Sequence, residues 1–335
     1  MLTGEEYLVE LSRPKKIIIT THHKPDGDAL GSSLGLYYWL KKKGHDVHIV
    51  LSSDFPTFLD WMPGREELVF YTEDTAYAQS LFDAAEIIFC LDYSALSRTN
   101  ILEPVIREAK GQKWMIDHHL DPEDFATVCY WDSNAAATAQ LVYKFIVEEF
   151  QDKAHIDEQI ATCLYTGIMT DTGSFRFKST TAEVHLIIAG LLEAGARNWE
   201  IHEQIYNSST ENRLKFLGYA LLNCLEVIPE YHTALFSLSK DDLAKFNVTT
   251  GDTEGLVNYA LSIKGIRLAG LFVDRTELIK LSLRSIGEIP CNAICKKHFN
   301  GGGHLNAAGG NSTEELGEVV SRFKSILPEY KEYLT

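Results

Sequence analysis

Up to about residue 205, short apolar runs alternate with longer segments of helical period. Lys15–Thr21, Val47–Leu51, Glu86–Asp92, Lys113–Asp117 and Ala126–Trp131 have the length and composition of buried strands. Ala29–Lys43, Asn100–Lys110, Ala135–Glu149 and Ile156–Ile168 read as helices. Strand and helix in alternation predict an α/β fold, a mainly parallel sheet with helices on both faces. Residues 180–225 read as consecutive helices. From Thr233 the pattern changes. Thr233–Ser239, Arg267–Asp274 and Leu278–Ser285 read as strands, and Thr253–Ser262, Cys291–His298 and Ser312–Ile326 as helices, which predicts a smaller α+β domain. The expected organisation is an N-terminal domain over 1–205, a helical connection over 206–227 and a C-terminal domain over 228–335.

Composition narrows the possibilities. With 335 residues and 45% hydrophobic content, two cores are affordable. The formal net charge of −16 argues against a grip on long duplex nucleic acid, which needs many Lys and Arg contacts to phosphate. A small anionic substrate held locally is compatible with it. Six cysteines occur without a Cys-x-x-Cys pair, mostly in apolar runs, and read as buried free thiols. Glu5, Glu6 and Glu10 interrupt any leader-like apolar region, and no stretch is long enough to span a membrane. A soluble cytoplasmic protein without a membrane partner is expected.

The chemistry gathers at the ends of the apolar runs. His22, Asp26 and Asp28 follow Ile17-Ile18-Ile19, in a turn sharpened by Pro25 and Gly27. Asp92 closes Ile87 to Leu91, Asp117 closes Trp114 to Ile116 and leads into His118 and His119, and Asp171 follows Tyr165 to Thr170. In an open parallel sheet the strand ends share one edge, where ligands bind. A lone carboxylate there is a cap or a turn residue. Several together, with imidazoles attached, form a metal-ligand set. The mixture of nitrogen and carboxylate oxygen without thiolate suits Mn2+ and accepts Mg2+, Co2+ or Zn2+. Its size allows two ions about 3.5–4 Å apart sharing one carboxylate, the arrangement of two-metal phosphate ester hydrolysis. A second stretch, Asn300 to Gly310, combines Gly301, Gly302 and Gly303 with His304. Its backbone N–H groups are candidates for an anion site. Leu281 to Ser285 carries Ser282 and Arg284, and Arg284 is a candidate phosphate fork. Neither a Walker A loop nor a dinucleotide fingerprint is present.

These motifs resemble the DHH phosphoesterase superfamily, whose signature is Asp117-His118-His119. His22, Asp26, Asp28 and Ala29 resemble its first motif, Asp92 with Ser94 and Arg98 its second, and Asp171-Thr172-Gly173 its fourth. Gly301 through Gly310 resembles the glycine-rich signature of the DHH-associated C-terminal domain in the RecJ-like branch. In size the chain is similar to the stand-alone oligoribonuclease and pAp phosphatase members (nano-RNases). The resemblance implies two divalent ions. One is held by His22, Asp26 and Asp92, the other by Asp28, Asp92, His118 and Asp171, with Asp92 bridging. It further implies that Asp117 orients His118, that His119 faces the phosphate or supports the site, and that Arg98 pairs with a site carboxylate. Arg284, His304 and the backbone of Gly302 and Gly303, with Ser282 on the same strand as Arg284, would hold the substrate's terminal phosphate or sugar. Phe175 and Arg176 are candidates for stacking on a base, with a core role for Phe175 as the other reading.

The implied activity is hydrolysis of short single-stranded RNA to nucleoside monophosphates and dephosphorylation of pAp to AMP, with no duplex substrate. The resemblance admits a homodimer. Two other functions compete: a phosphodiesterase for cyclic dinucleotides or linear pApA, and a nucleotide-binding regulator without catalysis.

Overall fold

Lys16–Thr21 (β1) is the strand around which the first sheet is built. In the computed structural model, which describes residues 4–249 and 251–334, the chain divides into two units between Ser208 and Ser209. In the first unit β1 is joined by Asp46–Leu51 (β2), Leu68–Phe70 (β3), Ile87–Leu91 (β4), Gln112–Asp117 (β5) and Val128–Trp131 (β6), in the order β3-β2-β1-β4-β5-β6. Every neighbouring pair is parallel. The chain runs outward from β1 to β3, then returns to the other side of β1 at β4. That reversal leaves a crevice beyond the C-terminal ends of β1 and β4.

Register puts the expected site residues there. Thr21 stands opposite Leu91, and Leu91 opposite Ile116. His22, Asp92 and Asp117 are therefore neighbours at one sheet edge. Apolar clusters cover both faces of the sheet, one around Trp39, Phe89, Trp114 and Phe145, the other around Phe82, Tyr93, Leu102 and Met115. The helix Gly27–Lys42 is capped by Asp26, which accepts from the N–H groups of Asp28 and Ala29 at 3.0 and 3.1 Å. It packs closely on the helix Glu158–Asp171. A Cβ on Gly31 would lie 2.5 Å from the Cys163 carbonyl, and one on Gly167 would lie 2.8 Å from Asp28 Oδ1. The absence of side chains at Gly31 and Gly167 thus brings Asp28 and the end of the second helix to one place.

The second unit holds a mixed sheet of Leu225–Ile228 (β7), Thr233–Leu238 (β8), Leu268–Asp274 (β9), Ile279–Ser285 (β10), Gly302–His304 (β11) and Ala307–Ser312 (β12). The order is β11-β12-β10-β9-β8-β7, and only β8 and β9 are parallel. Apolar clusters again cover both faces.

Several sequence expectations change in detail. In the 206–227 segment, the helix Glu211–Tyr219 buries Phe216 in the second core, and β7 begins at Leu225 as an edge strand. The glycine-rich stretch is a hairpin of β11 and β12. Residues 100–110 are not one helix: the chain breaks at Asn100 (φ +55°), and the α-helix covers Glu103–Glu108. The helix expected to end at Ile168 runs on to Asp171.

Candidate metal centre

Asp92 is the centre of the cluster. It follows β4 in the left-handed region (φ +63°), which Asp tolerates better than most residues. Its own N–H donates to the Ile116 carbonyl at 3.1 Å, and its carboxylate is buried. His22 Nε2 lies 3.5 Å from Asp92 Oδ2, and His118 Nε2 lies 3.6 Å from Asp92 Oδ1. Each imidazole thus addresses a different oxygen of one carboxylate. On the His22 side, Asp26 Oδ2 is 3.9 Å from Nε2. On the His118 side, Asp28 Oδ2 is 3.8 Å and Asp171 Oδ2 3.4 Å from Nε2. His22, Asp26 and Asp92 form one compact donor group, and Asp28, Asp92 and His118 another.

The hydrogen bonds behind these donors decide how they point. His22 Nδ1 faces the His23 carbonyl at 3.0 Å, and His118 Nδ1 faces the Ala135 carbonyl at 3.1 Å. A carbonyl only accepts, so Nδ1 carries the proton in both rings. The neutral form then presents an Nε2 lone pair towards carboxylate oxygens. That arrangement repels unless a cation lies between, so the donor set fits divalent ions. Without an ion, protons fill the gap. Burial opposes protonation of His118, but Asp92, Asp171 and Asp28 outweigh it and hold its pKa well above the usual value. His22 is raised in the same way by Asp92 and Asp26. Burial, together with the charges of Asp92 and Asp171, pushes Asp28 well above the usual carboxylate range. Burial acts to raise Asp92 too, but the contacts with His118 and His22 prevail and keep it well below that range.

Two expectations about neighbouring groups are corrected. Asp117 does not orient His118. Its Oδ1 meets His119 Nδ1 at 2.8 Å, and its Oδ2 accepts from the His119 N–H at 3.2 Å. Side chains alternate along an extended chain, so Asp117 shares a side with His119, two residues on. Among the described residues, Arg98 pairs with no carboxylate. Its Nη1 is buried with no hydrogen-bond partner among the described residues. Its charge acts against protonation of both His22 and His119. Burial and that charge hold His119 below the usual imidazole value.

Sequence reasoning missed Thr138. Its hydroxyl donates to Asp92 Oδ1 at 2.9 Å, while its N–H and that of Ala139 donate to Asp28 at 2.6 and 2.9 Å. Nothing in Ala135-Ala136-Ala137-Thr138 announces this, because the contacts span more than forty residues. Phe175 is half-buried against the first core, with Tyr165 at 5.7 Å between ring centres, which supports the core reading.

In the second unit, Arg284 pairs with Ala307 across β10 and β12, and Ala307 pairs with His304 across β12 and β11. Directly opposed residues face the same side. Arg284 and His304 therefore lie on one row, separated by a small residue. Ser282, Gly309 and Gly302 form the next row on that face, whereas Leu281 and Leu283 point into the core on the other. Gly303 lies on the row of Leu283 and Ala308.

The chain has relatives among known proteins. The N-terminal domain of the DHH family matches residues 16–168, and the DHHA1 domain matches residues 232–333. A Thermus thermophilus protein named bifunctional oligoribonuclease and PAP phosphatase NrnA is 32% identical, over 95% of this chain and 90% of that protein. A Bacillus subtilis protein of the same name is 26% identical over 97% of this chain and 99% of that one. The crystal structure of an exopolyphosphatase-related protein from Bacteroides fragilis is 40% identical, with a TM-score of 0.93 over 99% of this chain and 97% of that chain. On both domains and on a full-length relative, the chain belongs to the DHH family of phosphoesterases.

Proposed function

We propose that this protein hydrolyses short oligoribonucleotides to nucleoside monophosphates and dephosphorylates pAp to AMP, using two divalent ions of which Mn2+ fits best. The observation that carries the reading is the position of Asp92, with His22 at one carboxylate oxygen and His118 at the other. His22, Asp26 and Asp92 would hold one ion; Asp28, Asp92, His118 and Asp171 the other. Bound there, a pair of ions lowers the pKa of an attacking water and offsets charge on the phosphoryl group.

The chain's own groups prepare the site. Thr138 fixes the Asp92 and Asp28 carboxylates. Asp117 holds His119 Nδ1–H, and the lowered pKa keeps that ring neutral at physiological pH, with Nε2 able to accept a proton. We assign His119 to the reacting phosphate on this basis. The row formed by Arg284 and His304, with Ser282 and the backbone of Gly302 and Gly303, is assigned to the terminal phosphate or sugar of the substrate. The substrate choice draws on the relatives named for oligoribonuclease and pAp phosphatase activity. The net charge of −16 favours very short strands over long ones. The six free cysteines suit a reducing, cytoplasmic setting. No helix among the described residues is long and apolar enough to cross a membrane.

The test is to strip the protein of metal, resupply Mn2+, and offer pAp, an RNA trimer, a long single strand, pApA and pyrophosphate in parallel. AMP from pAp and monophosphates from the trimer, with a much lower kcat/KM on the long strand, are expected. Turnover of pApA alone would transfer the assignment to dinucleotide signalling substrates. Full activity in excess chelator would remove the two-ion reading.

A further inference from the structure

Among the described residues, one run of three consecutive residues occupies the left-handed region: Gly173, Ser174 and Phe175, at φ of +57°, +60° and +64°. Glycine accepts this backbone readily, whereas serine and phenylalanine are strained in it. Such strain persists where the surroundings over-determine it. The run begins two residues after Asp171, the last residue of its helix. The Asp171 side chain is 34% exposed, against 1% for Asp28 and 3% for Asp92. Its neighbours enclose it less, so its placement leans more on the turn behind it.

Local bonds shape the turn: Ser174 N–H donates to the Met169 carbonyl at 2.8 Å, and Phe175 N–H to Thr172 Oγ1 at 3.1 Å. A grip from outside comes from the helix Asn198–Tyr206. His202 Nε2 lies 3.0 Å from Ser174 Oγ, and His202 Nδ1 lies 2.7 Å from the Asn198 carbonyl. The carbonyl must accept, so Nδ1 carries the proton and Nε2 accepts from the Ser174 hydroxyl. Tyr165 and Phe175 flank the ring, at 6.2 and 6.5 Å between centres.

We infer that His202 is a positioning residue: through Ser174 it pins the strained turn and so keeps Asp171 directed at His118. The inference rests on the reading of Asp171 as a metal ligand. Ser174 and His202 both lie between the matched family regions, which end at 168 and resume at 232. The Ser174–His202 contact therefore lies outside the matched regions, although the turn that it holds begins at Gly173 of the fourth motif.

Mn2+ titration followed by the resonance of free Mn2+, together with Tm, tests it on the full chain. The wild type should bind two equivalents. In His202→Ala one equivalent should weaken by about tenfold, the lower end of the range for groups that orient metal ligands, and the other should stay unchanged. His202→Gln keeps an acceptor for the Ser174 hydroxyl and should recover most of the affinity. Ser174→Gly is the sharper variant, because it removes the hydroxyl yet relieves the left-handed strain. Its Tm should hold or rise while one Mn2+ equivalent weakens, a combination that a merely structural role does not produce. The double variant should be no weaker than either single one. Wild-type affinity in both His202→Ala and Ser174→Gly overturns the inference and leaves the metal centre standing. Equal weakening of both equivalents with a fall in Tm also overturns it. A wild-type protein that binds no Mn2+ overturns the metal centre, and this inference with it. Should His202→Ala fail to fold, Ser174→Gly and His202→Gln decide alone.

Discussion

Thr138 donates its hydroxyl to Asp92 at 2.9 Å while its backbone N–H reaches Asp28 at 2.6 Å. One residue thus ties together the carboxylate proposed to be shared by both ions and a carboxylate proposed to hold one of them. Thr138→Val preserves shape and the backbone bond but deletes the hydroxyl. A hydrogen bond to a charged group contributes about 1.5–3 kcal/mol. Mn2+ affinity is therefore expected to fall by about ten- to hundredfold. Calorimetric titration measures it, and wild-type affinity would show that Asp92 needs no such support.

Gly167 sets the distance between two helices. Alanine is the better helix former by about 0.8–1 kcal/mol, which alone predicts a gain from Gly167→Ala. A Cβ there would lie 2.6 Å from Ala139 Cβ and 2.8 Å from Asp28 Oδ1. Overpacking of this kind costs about 1–3 kcal/mol and exceeds the propensity gain. Tm should fall by a few degrees, with weaker Mn2+ binding. A higher Tm with unchanged binding would mean that the helices separate without consequence.

In the proposed metal centre, protons and metal compete for the same donors. His118 and His22 have raised pKa values in the metal-free protein, so the stability they contribute is present below their ordinary value and lost as pH rises through the raised one. Asp28 is raised too, and its ionisation penalises the fold in the same direction. Asp92 is depressed, so its stabilising contribution is lost only in acid. Metal-free protein should lose stability as pH rises from the ordinary imidazole range through the raised values, while Mn2+, which needs deprotonated ligands, binds more tightly. The gain in Tm on adding Mn2+ should therefore be larger at the higher pH. A gain that shrinks over this range would contradict the assignment of these donors.

The sheet edge was legible in the chain because Ile17 to Ile19 and Ile87 to Leu91 are apolar runs closed by polar residues, a local pattern. Thr138 was not, because a hydroxyl in a run of alanines becomes a carboxylate partner only through tertiary approach. The resemblance implies His118 as the partner of Asp117, but the alternation of side chains along an extended segment puts His119 there instead. The hairpin of Gly302–His304 and Ala307–Ser312 was hidden for a different reason. Glycine and alanine carry little strand preference, and pairing with β10 is what organises them.

A variant of Arg284, which is proposed to hold the substrate, separates substrate binding from metal binding. It shares a row with His304 in the second sheet. Arg284→Ala should lower kcat/KM on pAp by about ten- to hundredfold, from loss of a charge-assisted contact. The same variant should act nearly normally on bis-p-nitrophenyl phosphate, which lacks the gripped phosphate. Equal losses on both substrates, or none on either, would mean that this row does not select the substrate.

Asp92 is proposed to belong to both ion sites, and the number of Mn2+ ions bound by its variants decides this. His22→Ala should lose one of two equivalents, because His22 addresses only Asp92 Oδ2 and the Asp26 side. Asp92→Ala should lose tight binding of both, and with it turnover of pAp and of the RNA trimer. Two tightly bound equivalents and normal turnover in Asp92→Ala would contradict the shared-ligand account.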